Sequence, residues 1–302
     1  VIGGANMDIA GKPQRPLVAH DSNPGTVRLS PGGAGRNIAH NMALLGCDVH
    51  FISAFGDDGH ARELQESCRA VGIDVTDSIT IPGEATSTYL FIMDETGDME
   101  LAISDMGIYD KLVPQLLERK LDLIERAAIC VVDTNIPAET LRWLAEHVTT
   151  PLYCDPVSTA KAPKLRGALG RFHTLKPNRL EAEVLSGIAI HDEESLRLAA
   201  NKLLDTGLQQ VFISLDTRGL LCADHEQQIL LPIMPSNVVN ATGAGDSMMA
   251  AIAWSALEGE GLRAQGLAGL ATSSLAVESA ATINTEITAD KVRERIAHAH
   301  QD

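Results

Sequence analysis

Short apolar runs rich in β-branched residues alternate along this chain with longer amphipathic segments, and few folds accept that pattern. The strand candidates are Val1-Ile2 and residues 49–54, 128–132, 152–154, 173–175, 211–215 and 219–222. Between most of them lie helical patterns, at residues 61–71, 138–147, 180–185 and 195–204. Parallel strands need a long crossover, usually a helix, so the alternation predicts an α/β fold: a mainly parallel sheet covered on both faces. Residues 12–30 and 78–105 break the pattern. They are β-rich, carry turn signals at Pro24-Gly25, Pro82-Gly83 and Glu95-Thr96-Gly97-Asp98, and contain no long helix. They are expected to pair as a small antiparallel sheet that rises from the main body as a lid. Open sheet edges need a cover, and the lid of a second subunit would supply it, so a homodimer is expected.

Composition narrows the partners. At 302 residues the chain can bury a full core, as one large domain or two smaller ones. Its 40 Asp+Glu against 24 Lys+Arg, with no basic cluster, argue against nucleic acid as a partner. Cys47, Cys68, Cys130, Cys154 and Cys222 are scattered and mostly set in apolar runs, which suits reduced thiols in a cytoplasmic protein. No Cys-x-x-Cys pair or Cys/His cluster suggests zinc, no run in these residues is long and apolar enough to span a bilayer, and no signal peptide is expected. The chain opens on strand-like Val1-Ile2-Gly3-Gly4 without a Met, so further native residues are expected to precede it.

The stretch Asn240-Ala241-Thr242-Gly243-Ala244-Gly245-Asp246-Ser247 reads as strand, turn and helix start, with Val238-Val239 as the strand and the apolar residues from Met248 to Trp254 as a buried helix. The first amides of a helix lack intrahelical partners and carry the positive end of its dipole, so Gly243, Ala244 and Gly245 form a candidate anion hole. A carboxylate there would repel phosphate unless it accepts a proton from whatever attacks that phosphate, which makes Asp246 a candidate base. Taken alone, Asp246 reads equally well as a helix cap.

Upstream, Pro31-Gly32-Gly33-Ala34-Gly35-Arg36-Asn37 leads into the helical residues 38–46. The glycines admit a ligand close to the backbone, and Asn37 in the first helical turn would face it. A dinucleotide fingerprint would put its third glycine where Asn37 stands and a long buried strand just before, whereas Val27-Arg28-Leu29-Ser30 alternates in polarity. Asn6 and Asp8 follow the first strand, where open α/β sheets hold ligands, and with Asn37 they suit adjacent sugar hydroxyls; each alone reads as turn chemistry.

Together these stretches resemble the ribokinase-like carbohydrate and nucleoside kinases, the PfkB family, over essentially the whole chain. Residues 32–39, with Gly46 and Gly56, are similar to the N-terminal signature, and Thr242-Gly243-Ala244-Gly245-Asp246 to the C-terminal one. Lys176-Pro177-Asn178-Arg179-Leu180-Glu181 resembles the family's Asn-x-x-Glu motif, and residues 214–219 its loop beside the ATP nucleoside. Several stretches outside those signatures, among them Asp21-Ser22-Asn23-Pro24-Gly25 and Asp155-Pro156-Val157-Ser158, resemble pseudouridine kinases within the family.

The resemblance implies a ribokinase-like three-layer α/β/α domain over residues 1–302, with a β lid from about 12–30 and 78–105. It implies ATP-dependent phosphorylation of the primary (5') hydroxyl of a ribosyl compound, pseudouridine first among them. Asn6, Asp8, Gly32, Gly33, Asn37 and Asn135 would hold the substrate; Asn178, Ser214, Gly219, Gly243 and Gly245 would hold ATP; Asn178 and Glu181 would hold Mg²⁺, directly or through water. Asp246 would take the hydroxyl proton. No Gly-x-x-x-x-Gly-Lys-Ser/Thr loop occurs, so the Gly243–Gly245 turn would be the phosphate device. Asn240 stands where many relatives have an Asp that helps bind a monovalent cation, which leaves K⁺ open, and Asp216 stands where Gly is usual. The other readings are a kinase for ribose, another nucleoside or a hexose, a non-catalytic sugar or nucleotide sensor on the same fold, and a dinucleotide-dependent oxidoreductase.

Overall fold

The computed structural model describes residues 1–299. Its central sheet is built from β7 (Cys130–Asp133), β8 (Leu152–Asp155), β9 (Thr174–Leu175), β10 (Gln210–Ser214), β11 (Leu220–Asp224) and β12 (Gln228–Leu231), in the order β12-β11-β10-β9-β8-β7. The strands from β7 to β10 are parallel to their neighbours because the chain is carried back between them, by α5 (Ala138–His147) from β7 to β8, by a segment with two 3-10 turns, Ala162–Leu165 and Leu169–Arg171, from β8 to β9, and by α6 (Arg179–Ser186) with α7 (Glu193–Leu204) from β9 to β10. β11 and β12 follow on tight turns and run antiparallel. Val1-Ile2 does not form a full strand; Ile2 alone bridges in parallel to Val132 and to Ile52 and continues the sheet past β7. Of residues 49–54, only the end enters a regular strand, β3 (Ala54–Phe55), which pairs with β4 (Ile79–Thr80).

Alternate residues of the strands go to opposite faces. Val131, Tyr153, Phe212 and Cys222 pack with α1 (Ala34–Leu44), α2 (Gly59–Arg69), α8 (Ala244–Leu257), α9 (Leu262–Ala276) and α10 (Ala289–His298). Val132, Leu152, Cys154 and Ile213 pack against α3 (Pro114–Glu118), α4 (Leu121–Arg126), α5, α6 and α7. This is the three-layer arrangement expected from the alternation, with a strand period of two feeding two cores. α8 is buried from Ser247 to Ser255, as its apolar run requires on every side, and α9 packs along it.

The second sheet has the order β2-β1-β5-β6, from β1 (Asn6–Pro13), β2 (Gly25–Gly32), β5 (Thr88–Met93) and β6 (Met99–Asp105). Two features differ from expectation. The sheet starts at Asn6, so Asn6 and Asp8 sit in its first strand and not in a turn after a central strand. It is also mixed: β1 pairs antiparallel with β2, but parallel with β5, because the chain leaves through α1 and α2 before it re-enters on the same side. β2 and β6 are its edges, and Val27, Leu29, Met99, Leu101 and Ile103 are exposed on them. No described helix is long and apolar enough to cross a membrane.

Candidate active site

Three consecutive elements of the central sheet deliver charge at their C-terminal ends: Asp133 closes β7, Asp155 closes β8 and Lys176 follows β9. Because the strands are parallel neighbours, their ends lie side by side, and the Lys176 and Asp155 side chains meet. Lys176 Nζ lies 3.1 Å from Asp155 Oδ2, with both residues buried. Burial works against the Lys176 charge, but Asp155 and Glu181 outweigh it, and the pKa stands above the ordinary lysine value. Asp133 is fully buried and accepts from the Gly4 amide at 2.9 Å and the Gly35 amide at 2.7 Å, which fastens the start of α1 to the first loop. That contact requires glycine: a Cβ on Gly35 would lie 2.8 Å from Gly3 Cα. Burial raises the Asp133 carboxyl above the usual range, opposed by hydrogen bonds from Gly4 and Asn135 and by the Lys161 charge.

α8 begins opposite this cluster. Its N-cap is Gly243, in the left-handed region at φ 82, and a Cβ there would meet Thr282 O at 2.3 Å. Asp246, in the first turn, is not the cap; its Oδ2 accepts from Asn37 Nδ2 at 2.9 Å. The two stretches singled out in the sequence, 209 residues apart, therefore meet at one hydrogen bond. Enclosure by the protein pushes the Asp246 carboxyl up to about 7, with Asp155 and Asp133 adding to the rise and Asn37 and Lys176 opposing it.

A cavity of about 470 Å³ opens beside Asp246. Asp155, Val157, Lys176, Glu181 and Gly245 line it near the ends of β8 and β9, while Ile233, Val238 and Val277 make an apolar wall on the β12 side. Asn178, Ser214, Gly219 and Ala244 also face it, as do Ser273 and Ser274 of α9. Val238-Val239 is not a strand. The chain past β12 has no strand to pair with and runs irregularly along α9, where the Val239 and Asn240 amides both donate to Val277 O, leaving Val238 68% exposed at the cavity. Gly219, at φ 96, lets the β10–β11 turn pass under Leu231 O, which a Cβ would approach to 2.0 Å. Asp216 has φ 52, a left-handed conformation that Asp tolerates better than most residues. Val157, at φ 62, is β-branched, and that conformation costs about 1–2 kcal/mol.

The expected substrate residues form a second group, outside the residues that line this cavity. Asn6 Nδ2 donates to Asp8 Oδ1 at 2.6 Å, and a Cβ on Gly32 would lie 2.3 Å from Asp8 Oδ2, so strand β2 lies directly against this carboxylate. Burial raises the Asp8 carboxyl, against the effects of Asn6 and Arg36. Gly33, at φ 99, turns the chain into α1, and Asn37 joins the group to Asp246. Asn135 stands apart in being fully engaged: Nδ2 donates to Asp133 and Oδ1 accepts from Lys161 Nζ at 2.5 Å. Lys161 is thus pinned, not free in solvent.

Asn178 and Glu181 form a reciprocal capping box on α6: Asn178 Oδ1 accepts from the Glu181 amide, and Glu181 Oε2 from the Asn178 amide, each at 2.9 Å. Asn178 Nδ2 takes the other Glu181 oxygen at 2.9 Å. Asn240 bridges two loops, accepting from the Thr242 amide at 3.0 Å and donating to Ala280 O at 3.2 Å. The sequence reading missed Asp133, Asp155 and Lys176 as site residues. The available signal was a charged residue ending each buried apolar run, Val131-Val132-Asp133, Tyr153-Cys154-Asp155 and Thr174-Leu175-Lys176, at the sheet end where such folds hold ligands.

Comparison with known proteins identifies the family. The family model described as pfkB family carbohydrate kinase matches residues 1–289. The chain is 41% identical over 281 residues to the pseudouridine kinase of Escherichia coli K12, covering 90% of each, and 38% identical over 294 residues to an uncharacterized sugar kinase of the same organism, covering 96% of this chain and 81% of the relative. Among solved structures, a putative sugar kinase from Clostridium perfringens superposes with a TM-score of 0.88 at 32% identity, over 98% of this chain and 94% of that one. Arabidopsis thaliana ribokinase complexed with ribose and ATP shares the fold, with a TM-score of 0.88 at 24% identity over 98% and 97% of the two chains. The chain belongs to the PfkB family of carbohydrate kinases and is a sugar or nucleoside kinase, a phosphotransferase with an alcohol group as acceptor.

Proposed function

We propose that this kinase transfers the γ-phosphoryl group of ATP to the primary 5' hydroxyl of a ribosyl compound, pseudouridine being the favoured acceptor. The observation that carries the reading is the Asn37–Asp246 hydrogen bond, which puts a carboxyl of pKa about 7 between a cavity and a polar carboxylate–carboxamide group. The 41% identity to a pseudouridine kinase supports the choice of acceptor.

In this reading the nucleoside of ATP lies against Ile233, Val238 and Val277, and its phosphates reach the Lys176 ammonium and the start of α8. There Ala244 and Gly245 line the cavity next to the Gly243 cap, and the Ala244 amide, bonded to Ala241 O at 3.3 Å, has to turn from that bond to the phosphate. The acceptor's ring hydroxyls meet Asn6, Asp8 and Asn37 beside Gly32 and Gly33. Asp246 accepts the proton of the primary hydroxyl as its oxygen attacks phosphorus, and the α8 amides hold the charge that develops on the transferring group. Asn178 and Glu181 supply oxygens on the cavity wall that fit Mg²⁺, and because they are bonded to each other the fit is through water. Bound there, the ion would neutralise triphosphate charge. Asn135 serves by holding Lys161 and Asp133 in place. The small sheet acts as lid to one kinase unit, its exposed apolar face is covered by a second copy, and the five free cysteines suit the cytoplasm.

The test is ADP release from MgATP with pseudouridine, uridine, other nucleosides, ribose and fructose. Pseudouridine should give the highest kcat/KM. A higher value for ribose, another nucleoside or a hexose replaces the acceptor but keeps the chemistry; no acceptor-dependent release with any of them would refute this choice of acceptor.

A further inference from the structure

Asp246 creates a hazard as well as a reaction. A carboxyl poised to take a proton from a sugar hydroxyl can take one from water, and water at the γ-phosphorus would hydrolyse ATP. Something must hold water away at that end of the cavity. Asp155, Lys176, Glu181, Gly245 and Asp246 line the cavity, and so does Val157, which has a branched apolar side chain and follows Asp155 by two residues.

Its placement is enforced against the preference of its own backbone. Among the described residues, only His20, Val157 and Asp216 are non-glycine with positive φ, and Val157 is the one for which β-branching makes the conformation a true outlier. The surrounding turn over-determines it. The Val157 amide donates to Asp155 Oδ1 at 2.8 Å, while the other oxygen of Asp155 holds Lys176 at 3.1 Å. Pro156 O accepts from Thr134 Oγ1 at 2.5 Å and from the Ser158 amide at 2.6 Å, and Ser158 O accepts from the Ala162 amide at 2.8 Å. Glycine would adopt φ 62 freely, so the strained valine points to a use for the side chain itself.

We infer that Val157 is a specificity-determining residue whose isopropyl group excludes water from the transferring phosphoryl group, so that the bound sugar hydroxyl is the acceptor. The inference rests on the ATP-dependent transfer proposed above. In the reaction it suppresses, a water oxygen bonds to the γ-phosphorus, the bond from that phosphorus to the ADP oxygen breaks, the water proton passes to Asp246, and ADP and phosphate leave.

Val157→Gly and Val157→Ala test it, with ADP release from MgATP measured with and without pseudouridine. Both should raise acceptor-independent release at least tenfold, Gly more than Ala. The Tm of the Gly variant should stay within about 2 °C of wild type, because relief of the backbone offsets lost contacts. An Ala variant that keeps wild-type background hydrolysis while Gly raises it would overturn the inference, since the effect would then come from backbone relaxation. So would wild-type transfer accompanied in both variants by background release within twofold of wild type, and that result would leave the kinase reading intact. No ATP consumption by wild type or variants with any acceptor would overturn the kinase reading itself.

Discussion

Replacing Asp246 by Asn deletes a proton acceptor while keeping the side chain's size and the turn that forms the anion hole. Its Oδ2 is held by Asn37 Nδ2 at 2.9 Å and Gly243 is the cap, so the substitution removes neither a cap nor a core contact. General-base catalysis is worth about 10²–10⁴-fold, so kcat should fall by at least two orders of magnitude while ATP affinity holds or tightens slightly with the loss of a negative charge. The carboxyl titrates at about 7, so wild-type kcat/KM should rise with pH through that value, with roughly half the base available there and about a tenth one unit below. Stability carries an independent signature. In the unfolded chain the same carboxyl ionises at its ordinary value of 3.8, so between that pH and about 7 the folded protein holds a proton the unfolded chain has released. The folded pKa is the raised one; its contribution is therefore fully present below 3.8 and lost as pH rises through about 7. Asp246→Asn should remove that decline, so thermal melts should show the variant gaining on wild type from pH 4 to 8. A kcat within threefold of wild type, or parallel Tm–pH curves for the two proteins, would refute the assignment.

Lys176→Met leaves Asp155 buried without its cation, which should cost about 3–5 kcal/mol in urea denaturation, largely restored by adding Asp155→Asn; in the double variant the KM for ATP should still be raised at least tenfold. Lys176 also holds the Asp246 carboxyl down, so Lys176→Met alone should move the acid limb of the kcat/KM profile to higher pH. Glu181→Gln should fold, since Gln can serve a capping box, and should raise the Mg²⁺ concentration for half-maximal activity several-fold; an unchanged Mg²⁺ dependence would make Glu181 a cap alone. Light scattering at micromolar concentration should give a dimer mass, and Leu101→Asp with Ile103→Asp, on the exposed face of edge strand β6, should give monomers with the fold intact; a wild-type monomer would refute the covered lid.

The parts of the structure that repeat a local rule were legible in the sequence. Alternating strand and helix periods gave the three layers, and Gly243-Ala244-Gly245 gave the helix start, because both are decided within a few residues. The lid topology was not, because the parallel pairing of β1 with β5 depends on where α1 and α2 return the chain. Val238-Val239 has the composition of a strand, but a strand exists only with a partner, and past β12 there is none to pair with. Lys176 was passed over for the Asn178 and Glu181 of its own motif, since only sheet order shows that the end of β9 lies beside the end of β8.

The cavity poses an electrostatic problem that its own residues resolve. Asp155, Glu181, Asp216 and Asp246 line it with Lys176 as the one basic side chain, in a chain of net charge −16, and yet a triphosphate must enter. Side-chain charge alone would repel it. Attraction has to come from the amides at the start of α8, from Lys176 and from cations that arrive with the nucleotide, which makes ATP affinity dependent on Mg²⁺ by construction. The same carboxylates are not an incidental burden. Asp155 and Asp133 add to the burial that lifts Asp246 to about 7, and without them the carboxyl would fall toward its ordinary value and lose basicity. Enclosure does most to poise the base, the acidity that weakens the binding of a polyanion adds to it, and the cation bound to that polyanion offsets the cost when the two meet. It follows that neutralising Asp155 should strengthen nucleotide binding and weaken proton transfer together, a coupling that a site built from positive charge would lack.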